Sequence, residues 1–470
     1  MFGGKRARVV RRAAMITFLT LVAATLTPTA PANAAEGGEA VVANVAWRVR
    51  VGSRPDLMTT ITPGERDSFY NEGQIYYLPR YQYGGTRPLY RLFHPNWYGH
   101  MDHMESVTAG EAGFQTEAPV GYAYSSSSGG YGLSQYLRTF NGCNGDHGNR
   151  SVHEPAKSCY GDEGIAAYGW PRFAHTSWSP LTLTAGGVTI ESNRVAGGAL
   201  FHWTHNGVQY INNRDYGRQM QSSVFFSRGG VQANPTEAGD KWTDYDRPPW
   251  ARHGSPVAAA SNNSSTVTQS TRSVPIDFVP ENFGGSPDNP VVYKDMLLGK
   301  DVTLNWGGLG PVARYSTVFA SPALSNANIE VPTAYLRAEF NRFFTYDAIS
   351  RTLREVYPEN NCPDAYRYVH YTPPNRGGVI IANADLSRAM GVYGANTAVG
   401  GSVSEFLLGN FIGGACGGGT GEFNFSASKW SVIRSGGLGS GTKVFNTWVM
   451  TGGVNSVTGY MNQLATWGNG

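Results

Sequence analysis

"ALFHWTHNGVQYINN", from Ala199 to Asn213, decides the fold class. Apolar and polar residues alternate along it, and His205-Asn206-Gly207 interrupts the alternation. Asn-Gly readily takes the positive φ angles of a type I′ turn, the commonest connection of a tight β-hairpin. A period of two puts Phe201 and Trp203 on one face, with His202 and Thr204 on the other. The stretch therefore predicts a hairpin with one buried aromatic face.

The same grammar runs outward in both directions. "LTLTAGGVTI" (181–190) precedes it, and "VTLNWGG" (302–308), "YSTVFASPAL" (315–324), "IEVPTAYL" (329–336), "GVIIANA" (378–384) and "KVFNTWVMTGG" (443–453) follow. Short alternating runs separated by glycine turns predict a large antiparallel β-sandwich over residues 176–470. "PRFAHTSWSP" (171–180) marks its start. "ASNNSSTVTQSTRS" (260–273) reads as an exposed loop or a solvated strand. Helical signal is scarce; the nearest is Glu339–Tyr357, which also reads as a strand followed by a turn.

Residues 1–34 read as an export signal. Lys5, Arg6, Arg8, Arg11 and Arg12 precede an apolar stretch from Ala13 to Leu26, and Ala32-Asn33-Ala34 fits a cleavage site. General secretion is expected, with a twin-arginine route through Arg11-Arg12 as the lesser reading. No later stretch has the length and apolarity of a membrane helix. The chain of 470 residues carries 37 Lys and Arg against 34 Asp and Glu. Many of the basic residues lie in the leader, and no basic block suits a nucleic-acid backbone. No glycine-rich phosphate loop, Gly-x-Ser-x-Gly elbow or His-Glu-x-x-His helix is present. No cofactor is expected, and oligomeric state is left open.

Cys143, Cys159, Cys362 and Cys416 suit an oxidising compartment. Three connectivities exist; Cys143–Cys159 is the natural short pair, leaving Cys362–Cys416. Sixty glycines, 15% charged residues and 12% aromatics match a secreted β protein. Aromatic faces pack on pyranose rings while amides and carboxylates take the hydroxyls, so a polysaccharide or cell-wall glycan is the expected partner.

Between the leader and the sandwich lies a faint repeat. "YYLPRY" ends at Tyr81, "YGWPRF" ends at Phe173, and "VGYAYSS" (120–126) stands between them, so ends fall roughly every 46 residues. "LYRLFHPNWYGHMDH" from Leu89 and "QYLRTFNGCNGDH" from Gln135 both finish in Asp-His, at Asp102-His103 and Asp146-His147. Such units bury their apolar faces against one another. Residues 35–74 are read as an N-terminal extension and 75–175 as a pseudo-repeat β module, trefoil-like or a partial propeller. Leu89, Tyr90, Arg91, Leu92, Pro95, Asn96, His100 and Gly121-Tyr122 resemble a family of secreted Leu-Tyr-Arg-Leu/Gly-Tyr repeats, which implies a binding or spacing role. The layout after Glu191 resembles large mutarotase-like sugar-processing sandwiches, which implies a concave sugar-facing sheet. His100, Asp102 and His103 form a weak candidate zinc set; turn and packing roles are preferred.

The polar stretch Asn212–Trp242 holds the candidate chemistry. Glu237 is read as the acid or base and Asp215 as its partner, since acetal hydrolysis uses two carboxylates. His202 is the reserve proton-transfer group. Arg218, Tyr216, Trp242, Asn213 and Gln219 are candidate substrate contacts. Glycoside hydrolysis is the leading expectation. The alternatives are a polysaccharide lyase, with Arg218 meeting a uronate carboxylate, and a non-catalytic glycan- or wall-binding protein.

Overall fold

The computed structural model describes residues 37–51, 56–152, 154, 156–172, 180–213, 219–241, 254–286, 288–358, 368–395, 405–410 and 428–468. The leader, Asp215, Tyr216, Arg218, Trp242, Cys362 and Cys416 lie outside the described residues.

The first part contains three units, each of three strands. The first unit holds β1 (Ala40–Val51), β2 (Asp56–Thr60), the short helix α1 (Pro63–Ser68) and β3 (Tyr70–Pro79). The second holds β4 (Thr86–Trp97), β5 (His100–Ser106) and β6 (Gln115–Tyr124). The third holds β7 (Ser134–Asn141), β8 (His147–Ser151) and β9 (Tyr160–Pro171). In every unit the long first strand pairs antiparallel with both strands that follow. Residues 35–74, expected as an extension, thus contain two strands of the same unit as β3. Tyr98 and Gly99, with φ of 48° and 85°, close the β4–β5 hairpin in two residues, the backbone a tight right-twisted hairpin requires.

The units meet through their return strands. Tyr77 pairs with Trp170, and Tyr124 with Tyr168. One apolar cluster draws on all three: Ala46, Ile75, Tyr76 and Leu78; Leu89, Val120 and Ala123; Tyr136 and Ala167. No unit could bury that surface alone. Cys143 and Cys159 form a disulfide at the tip of the third unit.

The rest is a β-sandwich. One nine-stranded antiparallel sheet runs in the order 257–263, 268–273, 297–303, 312–321, 441–452, 389–395, 376–383, 340–347, 352–356. A second layer pairs 221–228 with 324–335, then 428–438, 405–410 and 368–371. Their facing side chains form the largest core: Val224, Ile329, Phe406, Trp430 and Val432 from the second layer, and Tyr315, Phe343, Val379, Ile381, Val392 and Val449 from the first. Alternation gives the nine-stranded sheet a second apolar face, where Ile380, Ala382, Tyr393 and Trp448 meet helix α2 (Val454–Thr466) through Val457, Met461 and Leu464. Those helix residues follow the three-and-four spacing of a one-sided helix, a signal the sequence reading did not take up. Burying each such large apolar side chain is worth about 1.5–3 kcal/mol. Among the described residues no helix is long and apolar enough to cross a membrane.

The hairpin that opened the sequence reading is present. β10 (Leu181–Ala185), β11 (Val188–Asn193), β12 (Ala199–His205) and β13 (Val208–Gln209) form a four-stranded sheet. Asn206 and Gly207 hold φ of 49° and 79° between β12 and β13. Glu339–Tyr357 is a strand hairpin, 340–347 with 352–356, with no helix in it. Its phenylalanines fill two opposite faces, as Phe343 enters the main core and Phe344 the α2 cluster.

Candidate functional site

Glu237 does not stand at a surface. It and Lys300 are 0% exposed, and the Lys300 ammonium donates to its carboxylate. Lys300 also donates to the Gly198 carbonyl at 2.5 Å, and the Ser222 backbone N–H donates to Glu237 Oε2 at 3.1 Å. Burial pulls the Lys300 ammonium below its ordinary range, while the Glu237 charge opposes that pull. Removing two charges from water is repaid only by close pairing and full hydrogen bonding, and this pair has both. The acid or base role expected for Glu237 is corrected accordingly: the carboxylate holds the fold, and no substrate reaches it. Gln219 is also fully buried and cannot contact a sugar. Sequence patterns reveal that a stretch is polar, but not that Lys300, 63 residues on, waits inside for it.

His202 is placed differently. It lies on β12 directly opposite Glu191 on β11. Its Nδ1 stands 2.5 Å from Glu191 Oε2, and its Nε2 stands 2.7 Å from Asn213 Nδ2. A carboxylate can only accept, so Nδ1–H donates to Glu191. Nε2 then carries the lone pair and accepts from Asn213. The side chains of His202 and Glu191 remain 34% and 23% exposed. The alternation in "ALFHWTH" accounts for this: Phe201 and Trp203 turn inward, and the imidazole turns out. Of the residues named from sequence, the structure brings together His202 and Asn213. It adds Glu191, which the sequence of β11 did not single out but which cross-strand register supplies.

The first part has its own polar centre. Asp56, Asp102 and Asp146, one from each unit, are buried with one oxygen from each within 4.8 Å of the others. Asp56 accepts from the backbone N–H of His103 at 3.2 Å and lies 2.8 Å from its Nδ1. Asp102 accepts from the N–H of His147 at 2.8 Å and lies 2.5 Å from its Nδ1. Each aspartate thus clasps the histidine of the following unit. The third joint returns to the first unit, where Leu57 occupies the corresponding place. The Leu57 backbone faces Asp146, the Tyr160 hydroxyl donates to it, and Oδ1 receives no well-formed hydrogen bond. Burial pushes the Asp146 carboxyl up to about 8, and the neighbouring Asp102 and Asp56 add to the rise.

A second ring of contacts repeats the pattern. Arg91 pairs with Glu117 of its own unit and Glu65 of the first. Arg138 pairs with Glu163 of its own unit and Glu111 of the second. Arg48 pairs with Glu72 of its own unit and Glu154 of the third. The rings of His103 and His147 pack beside Phe93 and Phe140, at 5.0 and 5.1 Å between centroids. The expected role of these histidines and aspartates is corrected in detail: the partners are phenylalanines and the next unit, where tyrosine and the local turn were expected. His100, Asp102 and His103 are not gathered around one point, because Asp102 turns to His147 and His103 turns to Asp56.

No protein-family model and no curated relative matches the chain. Among solved structures, a galactose mutarotase-like protein from Clostridium acetobutylicum overlaps 60% of this chain and 96% of its own, at 9% identity and a TM-score of 0.29. An aldose 1-epimerase described as putative, from Klebsiella pneumoniae, overlaps 61% and 82%, at 8% identity and 0.32. An alpha-mannosidase from Enterococcus faecalis overlaps 67% and 35%, at 7% identity and 0.32. Overlaps of this size assign the chain to no family and no activity.

Proposed function

We propose that this protein is exported and acts on an extracellular polysaccharide, with His202 as the proton-transfer group and Glu191 and Asn213 as the residues that hold it. The observation that carries the reading is the accessible imidazole fixed at both nitrogens, 2.5 Å from Glu191 and 2.7 Å from Asn213. A base must be oriented and must reach solvent-borne substrate. Among the residues expected to do chemistry that the structure describes, His202 is oriented by Glu191 and partly exposed, and its Nε2 lone pair becomes the base when substrate displaces the Asn213 amide. Export is supported by the charged and apolar leader and by the Cys143–Cys159 disulfide, which suits an oxidising compartment.

The geometry favours elimination over hydrolysis. Hydrolysis of a glycosidic bond rests on two accessible carboxylates, and Glu237 is sealed against Lys300. Elimination needs a base to take the proton beside a uronate carboxylate; the bond to the leaving oxygen breaks as the ring double bond forms, and that oxygen takes up a proton from the protonated base or from water. Incubation with a panel of acidic and neutral polysaccharides tests this. Unsaturated products absorbing in the ultraviolet are expected, without added water. His202→Ala should lower turnover by about 100-fold or more, with thermal stability close to the parent. Products carrying added water, or full turnover in His202→Ala, would overturn the reading.

A second reading has its own observation. Tyr98 and Tyr70 are 75% and 65% exposed in the three-unit part, and exposed aromatic faces suit glycan binding without catalysis. Retention on a glycan column, unchanged by His202→Ala and lost with Tyr98→Ala, distinguishes it.

A further inference from the structure

A cavity of about 430 Å³ opens beside the end of α2, lined by Ala348, Ile349, Asn375, Arg376 and Ala465. That volume lies in the range of small-molecule sites. Its walls divide by chemistry. Ile349, 63% exposed, and the two alanines offer an apolar side. Asn375 and Arg376 offer an amide and a guanidinium. Among the described residues Arg376 has no carboxylate partner, in contrast with Arg342 on the neighbouring strand, which Glu355 holds through two hydrogen bonds. Arg351, at the adjoining turn, is likewise without a carboxylate among the described residues and donates to Thr466 Oγ1, at 3.2 Å, the residue after Ala465. Asp347, paired across the strands with Gly377, accepts the backbone N–H groups of Ile349 and Ser350 on Oδ1, at 2.7 and 3.0 Å, and makes no ion pair with Arg376. The hydroxyl of Tyr393 is buried without a hydrogen-bond partner among the described residues, and it lies within electrostatic reach of Arg376.

We propose that this cavity binds an acidic sugar: Arg376 takes the carboxylate of a uronate, Asn375 a ring hydroxyl, and Ile349 the apolar face of the ring. A planar guanidinium matches a carboxylate with two parallel hydrogen bonds. An aliphatic wall with a single amide suits a pyranose better than a bare anion, which would be met by several donors and no apolar side. The site uses none of the residues around His202, so it stands or falls apart from the elimination reading.

Calorimetric titration of the whole protein with trigalacturonate tests the proposal, with maltotriose as the neutral counterpart and sodium acetate as the bare carboxylate. Trigalacturonate should bind, weaken with salt, and lose about tenfold or more in affinity in Arg376→Ala. Arg351→Ala should cost less, because Arg351 does not line the cavity. Binding should survive in His202→Ala even where turnover is lost. Arg376→Ala should fold normally, since no ion pair is broken; if its melting temperature falls, Asn375→Ala supplies the same test on an exposed residue. Equal binding of maltotriose, equal effects of acetate, unchanged affinity in both Arg376→Ala and Asn375→Ala, or no binding at all would overturn it.

Discussion

The two parts of this protein bury charge in different ways. The sandwich holds isolated pairs. Glu237 meets Lys300, and Glu330 meets Lys429 at 2.7 Å with Ser223 and Ser431 completing its shell. The three-unit part holds a cycle, in which every arginine and two of the three aspartates repeat their contact at the next joint. An isolated pair has one partner and no substitute. A cycle can lose one link and keep its shape, and the Leu57 joint is a link that has already lost its imidazole.

The largest break in this comparison is expected in the sandwich. Glu237→Ala strands the Lys300 ammonium in the interior and should cost about 3–5 kcal/mol, read by urea denaturation. Replacing both partners with methionine should recover most of that loss. If Glu237→Ala were near neutral, the pair would not be the buried anchor described. In the cycle the effects are smaller and unequal. His147→Ala should cost about 1–3 kcal/mol, because it leaves Asp102 with the backbone N–H of residue 147 but without the imidazole donor. Leu57→His, which supplies the absent imidazole to Asp146, should leave stability level or raise it by about 1 kcal/mol. A larger loss from Leu57→His than from His147→Ala would show that the three joints are not equivalent.

The cycle should also show itself as a dependence on pH. Asp146 keeps its proton in the folded state up to about 8, whereas the unfolded chain releases it near the ordinary aspartate value of about 4. The folded state therefore binds more protons between these limits. This contribution is full below about pH 4 and is lost as pH rises towards 8. Melting curves across that range should fall with pH, and Asp146→Asn should flatten them. Glu72, drawn down to about 2 by Arg48 and Lys157 against its burial, acts the other way. Its contribution is present above its ordinary pKa and is lost as pH falls towards 2.

How much of this was readable from the chain differs by region. Alternation and Asn-Gly revealed the Ala199–Asn213 hairpin and the outward face of His202, because both depend on near neighbours. The spacing of Asp102-His103 and Asp146-His147 revealed two units. The first stayed hidden because Leu57 replaces the histidine that would have marked it. α2 was overlooked although Val454, Val457, Met461 and Leu464 carry its period. The candidate site suffered most. The polar run Asn212–Trp242 looked like a surface, yet Gln219, Glu237 and Asp240 are fully buried. Polar residues in a loop are expected to meet water, and only long-range partners such as Lys300 overturn that expectation. The same limit hid Glu191, whose nearness to His202 depends on strand register.

Each Asp-His dipeptide in the three-unit part faces two neighbours at once, its aspartate forward and its histidine back. A head-to-tail surface of that kind either closes or propagates. Here closure comes after three units, at the joint between Asp146 and the Leu57 backbone, where the clasp is thinnest. A chain opened at that joint presents an unmatched acceptor at one end and an unmatched strand at the other. Two opened chains can then satisfy each other, so exchange of units between molecules, and dimers formed by it, should begin at Leu57.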